Sequence, residues 1–195
     1  NGVTGADETS EDLNNTFTNN SLPSPNAPWI AAQTARIQIV HNAADPAASV
    51  VDVYLNGSRI LDDFAFRSAT PFIDVPANIF LNLGIAPGTS SSVADTIKNF
   101  RVDFLQGGTY IGFATGVLNP ASFAPNPDGL DIAFTIFGQD TAREASSTPG
   151  SVEFFFMHGG TDAPTVDLAI RPVATIFENV SYGNVTNYFS VLPAI

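Results

Sequence analysis

From Ala35 onward, apolar and polar positions alternate with a period of two. Arg36-Ile37-Gln38-Ile39 opens the pattern, the period of a strand with one buried face. Val51, Val53 and Leu55 alternate with Asp52 and Tyr54. Asn56-Gly57 follows with the residue types that accept positive φ in a two-residue hairpin turn. Arg59 to Phe64 is the predicted return strand, within which Asp62-Asp63 reads as a solvated strand end. Pro71 to Val75 and Ile79 to Ile85 are two more strands, split by Pro76-Ala77-Asn78. Ser90 to Lys98 reads as one or two helical turns behind a Ser cap. Asn99 to Leu105 alternates again, and Gly107-Gly108 turns the chain into Thr109 to Leu118. A Pro/Asn loop, Asn119 to Gly129, precedes the apolar run Leu130 to Phe137, dense enough for a buried strand. Gln139 to Gly150 is a polar linker. Beyond it, Val152 to Met157, Val166 to Ile170, Val173 to Val180 and Tyr188 to Leu192 read as strands.

The pattern contains a repeat. Val40 to Leu55 reads V-H-N-A-A-D-P-A-A-S-V-V-D-V-Y-L, and Met157 to Ile170 reads M-H-G-G-T-D-A-P-T-V-D-L-A-I. Each has a His after an apolar run, a small loop holding Asp and Pro, and an alternating strand carrying Asp. Leu192-Pro193-Ala194 aligns with Val75-Pro76-Ala77, so the second copy reaches only the middle of the first. The expected fold is all-β: one complete sandwich over residues 35–138, a linker at 139–150, and a partial second repeat at 151–195. That partial repeat needs missing sequence or another chain to cover its apolar faces and strand edges.

Residues 1–34 have a different texture. Asp7, Glu8, Glu11 and Asp12 form an acidic patch, Asn14 to Ser21 is rich in Asn and Thr, and Leu22 to Trp29 is rich in Pro. This composition predicts an extended arm. Within it Leu13, Asn15, Phe17 and Asn19 alternate with Asn14, Thr16 and Thr18, the pattern of a donated edge strand.

Composition narrows the function. The chain of 195 residues is 44% hydrophobic, with 16 Phe, so a packed core is expected. Only 13% of it is charged, and the solvated surface must rest on Asn, Ser, Thr and Gly. The net charge of −12 opposes nucleic-acid binding, which needs basic groups to displace counterions. With no cysteine, disulfides, thiolate metal sites and cysteine nucleophiles are excluded. No apolar run has the length of a membrane span, and no signal peptide is present, so a secreted protein would be represented by its mature form.

Candidate chemistry is sparse. His41 with Asp45 and Asp52, and His158 with Asp162 and Asp167, are the polar sets. They would bind a divalent ion or, the reading taken here, tie each loop to its strand through backbone groups. Asn126, Asp128 and Asp131 place oxygen ligands in a Gly-bearing loop that would suit calcium, although Pro127-Asp128-Gly129 is also an ordinary turn. No other cofactor is expected. Asn14, Asn19, Asn56, Asn179 and Asn184 head Asn-x-Ser/Thr triplets, and Thr96 and Thr141 follow Asp in an O-glycan pattern of one bacterial group. Phosphate-binding and nucleophile motifs are absent, so the chain is not read as an enzyme.

Ala35 to Gly57, Val75-Pro76-Ala77, and Gly107-Gly108-Thr109-Tyr110 with Ala114 and Gly116 together resemble an extracellular repeat family, catalogued as domain of unknown function 4397. Its repeats read roughly A-R-V-R-V-V-H-x-S-P-D-A-P-x-V-D-V-Y-V-N-G, then V-P-A-G, then A-G-x-x-Y-T-V-x-A-x-G. Asn42-Ala43-Ala44 departs from the Ser-Pro neighbourhood of that pattern. The resemblance covers the first repeat fully and the second to its middle. It implies Ig-like sandwiches on surface and secreted proteins, with no enzymatic activity assigned. The expectation is a structural subunit of an extracellular filament or surface assembly, a homopolymer built by strand complementation. The alternative is an adhesin or carbohydrate-binding module of a longer surface protein.

Overall fold

A computed structural model describes residues 33–171 and 174–191, all within one compact unit. Its strands are β1 (Thr34–His41), β2 (Val50–Leu55), β3 (Ser58–Ala65), β4 (Ile73–Pro76), β5 (Phe80–Pro87), β6 (Lys98–Asp103), β7 (Thr109–Thr115), β8 (Thr135–Gln139), β9 (Val152–Phe154), β10 (Val166–Ile170), β11 (Ala174–Val180) and β12 (Phe189–Val191). The fold is an all-β sandwich. One sheet has the order β4-β1-β7-β8 and the other β3-β2-β5-β6. Pairing is antiparallel except between β1 and β7, which run parallel with Ile37 opposite Tyr110 and His41 opposite Ala114.

Period-two patterning decides what lies between the sheets. Along β1, Ala35, Ile37, Ile39 and His41 are buried and alternate with half-buried residues. With Val75 and Ala77 they face Leu81, Leu61, Phe64 and Val102 from the opposite sheet. A second cluster joins Val51, Val53, Leu83 and Ile85 to Ala114 and Phe134. The core is therefore the pair of inner faces, as in any aligned sandwich.

The outer face of the β1-β7 sheet is covered as well. Ile111, Phe113 and Val40 pack against Phe155, Met157 and Val185, and the Phe113 and Phe155 rings meet edge-on at 6.0 Å. Residues 151–191 thus lie against the first sandwich through their own outward side chains. The segment before them is tied down by charge. Arg143 donates to Glu153 at 2.9 Å and stacks on Tyr188. Ser147 donates twice to Glu153, and together these bonds hold that carboxyl down to about 2. Arg36 pairs with Glu144 at 2.8 Å.

Three sequence expectations are corrected and one is narrowed, that for Ser90 to Lys98. The 130–137 run is a strand only from Thr135, because Gly116, at φ 87°, turns the chain and leaves Ala133 a single bridge to Val117. A Cβ on Gly116 would lie 2.6 Å from the Ala133 carbonyl oxygen. Gln139 ends β8 instead of opening a linker; its buried side chain donates to the Thr186 carbonyl. Ser90 to Lys98 holds one 3-10 turn, Val93–Asp95, closed by a Ser92–Asp95 capping box. Asp62-Asp63 is not a strand end: it is a bulge inside β3, opposite Asp52.

That bulge shows how a strand Asp serves the fold. Asp63 adopts φ 51°, and Asp52 Oδ1 accepts its N–H at 2.9 Å. Asp52 Oδ2 accepts from Arg59 and Ser90, beneath the loop after β5. Burial pushes the Asp52 carboxyl up, but Ser90, Asp63 and Arg59 outweigh it and leave it below the usual carboxylate range. Asp52→Ala is predicted to destabilise the chain by about 2 kcal/mol, since it removes the acceptor of three part-buried hydrogen bonds from Arg59, Asp63 and Ser90. Chemical denaturation measures this, and a loss under about 0.5 kcal/mol would remove Asp52 from the account.

Candidate functional site

The second repeat rebuilds the first half of the sandwich, strand for strand. β1 pairs β4 with Ile37 opposite Ile73, and β9 pairs β12 with Phe154 opposite Phe189. β2 pairs β3 with Val53 opposite Leu61, and β10 pairs β11 with Leu168 opposite Phe177. Even the bulge recurs. Asn179 adopts φ 54°, and Asp167 accepts its N–H at 2.8 Å, as Asp52 does for Asp63.

The two His loops share one geometry. His41 Nδ1 accepts the Ala43 N–H, so Nε2 carries the proton and donates to the Ala48 carbonyl at 2.8 Å. His158 Nδ1 accepts the Gly160 N–H, and Nε2 donates to the Pro164 carbonyl at 3.0 Å. Both rings are buried and close a short loop between two strands. Asp45 Oδ1 accepts from Ala47 to cap a 3-10 turn, and Oδ2 accepts from Leu118. Its counterpart Asp162 is exposed. In both repeats, the imidazole nitrogens are thus engaged by main-chain groups.

Asn126, Asp128 and Asp131 are likewise engaged within the chain. Asn126 is buried; its amide donates to the Thr161 and Ala163 carbonyls, and its Oδ1 accepts from Asp128. Asp128 Oδ2 accepts from the Thr165 N–H and hydroxyl. Asp131 accepts from Ala133. The first two clamp the second His loop onto the first sandwich. Among the described residues, no three His, Asp or Glu converge as metal ligands.

The candidate functional surface is the inner face of the second repeat. Phe154, Phe177 and Phe189 cluster with centroids 5.7 to 6.5 Å apart, yet each is only half-buried. Val166, Leu168 and Ile170 of β10 are half-buried too. In the first repeat β7 and β5 pair with β1 and β2. Among the described residues β9 and β10 have no such neighbours. The surface offers apolar area together with unpaired main-chain groups, and therefore suits an extended polypeptide.

The glycan triplets fall at different exposures. Asn56 sits exposed in the β2–β3 turn at φ 49°, its Oδ1 accepting from Asn82. Asn179 and Asn184 are exposed. Thr96 is half-buried, with its methyl over Gly84 and its hydroxyl donated to Val93. Thr141 is exposed and donates to Gln139. Asn14, Asn19 and the strand-donor residues Leu13, Asn15 and Phe17 lie outside the described residues. Also among the described residues, no helix is long and apolar enough to cross a membrane.

Three features escaped sequence reasoning: the bulge residues Asp63 and Asn179, the Glu153 clamp, and the glycine pair Gly112 and Gly138. Asp and Asn tolerate positive φ, which marks the first. The others depend on cross-strand partners that periodicity does not reveal.

Burial lowers the His41 imidazole from its ordinary value, and its bond to the Ala48 carbonyl opposes this without overcoming it. The unfolded chain therefore takes up a proton that the folded chain resists. This group's contribution is intact above the unfolded value and is lost as pH falls below about 6.5. Thermal unfolding is predicted to shift to lower temperature from about pH 7.5 to about pH 5.5, with a shallower dependence in His41→Gln; equal slopes would contradict it. No protein-family model matches the chain, and no curated protein matches it.

Proposed function

We propose that the chain is a structural subunit of an extracellular filament or surface assembly, made of Ig-like repeats and polymerised by strand complementation between copies. The observation that carries this reading is the half-built second sandwich. Its four strands repeat the pairing of β1 to β4, while its aromatic inner face is only half-buried and β9 and β10 each have one edge unpaired among the described residues. A strand from a neighbouring copy would bury the Phe154, Phe177 and Phe189 cluster and pair with an edge in one step. Contacts of this kind are head-to-tail and do not close, so they build fibres.

Composition supports the same reading. The excess of acid, 19 Asp and Glu against 7 Lys and Arg, keeps copies apart until specific pairing overcomes repulsion. The resemblance to extracellular repeats supports surface localisation, where exposed Asn56, Asn179 and Asn184 would be open to glycans. Both His residues, and Asp45, Asp52 and Asp167, accept from or donate to backbone groups, which fits a structural role for them.

The arm is the expected source of at least one donated strand. A chain lacking residues 1–34 is predicted to stay monomeric under conditions in which the intact chain assembles, as read by light scattering. Equal assembly of the two chains would remove the arm from the mechanism.

A further inference from the structure

The first sandwich has a gap of its own. Gly112 of β7 and Gly138 of β8 stand directly opposite each other, and by alternation both face the other sheet. Ala114, the next inward position on β7, is small. A mostly apolar cavity of about 560 Å³ lies between the sheets and is lined by both glycines. Phe100, Val102 and Ile136 line it, and each is only half-buried although it points inward. Its lining includes residues of β6 and β8, the edge strands on one side of the two sheets, and Gly138 of β8 is exposed.

We infer that this groove receives the Leu13–Asn19 segment of a second copy as an added strand. The inference rests on the assembly proposed above and names its acceptor: the arm enters the first sandwich, and the open face of the second repeat is left for other strands. An acyl chain would fit the volume. It would not use the main-chain edges of β6 and β8, unpaired among the described residues, which an extended peptide pairs with while its alternate side chains enter the cavity. The lengths agree. β6 has 6 residues, about 20 Å at strand spacing, and Leu13–Asn19 has 7. Leu13 and Phe17 fall on one face of that segment, and Phe17 supplies the bulk that the glycine pair omits.

The glycine pair also permits a direct block. A Cβ on Gly112 meets only Ile136 Cγ2, at 3.5 Å, and one on Gly138 only the Ile111 carbonyl oxygen, at 4.0 Å; neither glycine has positive φ. A side chain can therefore be added without backbone strain. Gly138→Leu is expected to keep the thermal midpoint of the parent and to raise the concentration needed for assembly at least about tenfold. Unimpaired assembly by a folded Gly138→Leu chain would overturn the groove as acceptor.

Disulfide trapping separates the remaining outcomes, because the chain has no cysteine of its own. A Phe17→Cys chain mixed with a Val102→Cys chain is expected to give an intermolecular disulfide, at least about tenfold above that with a Leu168→Cys chain. Trapping at residue 168 instead, with assembly intact, would overturn this inference and leave the proposed function standing. A Phe17→Cys, Val102→Cys double variant that closes only within single chains would overturn the second-copy assignment. Failure of the intact, unsubstituted chain to assemble under any condition would overturn the proposed function itself.

Discussion

A sheet in water must have its apolar face covered and its edges paired, blunted or shielded. Everything else in this chain depends on how that requirement is met. The first sandwich meets it by stacking two four-stranded sheets. The outer face of its β1-β7 sheet is apolar as well, and Phe155, Met157 and Val185 of the second repeat cover it. The second repeat spends its outward side chains on that contact. Its inward side chains, led by Phe154, Phe177 and Phe189, remain half-buried.

Small polar devices position these surfaces. In each repeat an imidazole closes the loop between two strands, and an aspartate accepts the N–H of a left-handed bulge residue. A strand that would otherwise twist out of register is pinned there by one carboxylate. Asn126 and Asp128 then fasten the second loop to the first sandwich. Both His residues, and Asp45, Asp52, Asp128 and Asp167, thus bond to the main chain. What they leave among the described residues is half-buried apolar area on the second repeat and strand edges without a neighbour.

Much of the fold was legible because strand periodicity is a local signal. Alternation around Ile37, Val53 and Val102 located strands to within a few residues, and Asn56-Gly57 located its hairpin. The repeated His-to-Asp stretch marked two related units. Cross-strand facts were not legible. Gly112 and Gly138 are 26 positions apart in the chain and meet only through the β7–β8 register. Asp63 looked like a solvated strand end because its partner, Asp52, is set by a bulge. The run from Leu130 misled because β propensity alone does not pair a strand, and the turn at Gly116 sends that segment elsewhere.

The central proposal is that copies of this chain complete one another's sheets. Electron microscopy of the native material at side-chain resolution tests it most directly. The account predicts regular filaments in which an extended segment from one subunit runs along an open sheet edge of its neighbour, with aromatic density inside. Dispersed particles, each with its apolar faces covered by its own chain alone, would contradict it.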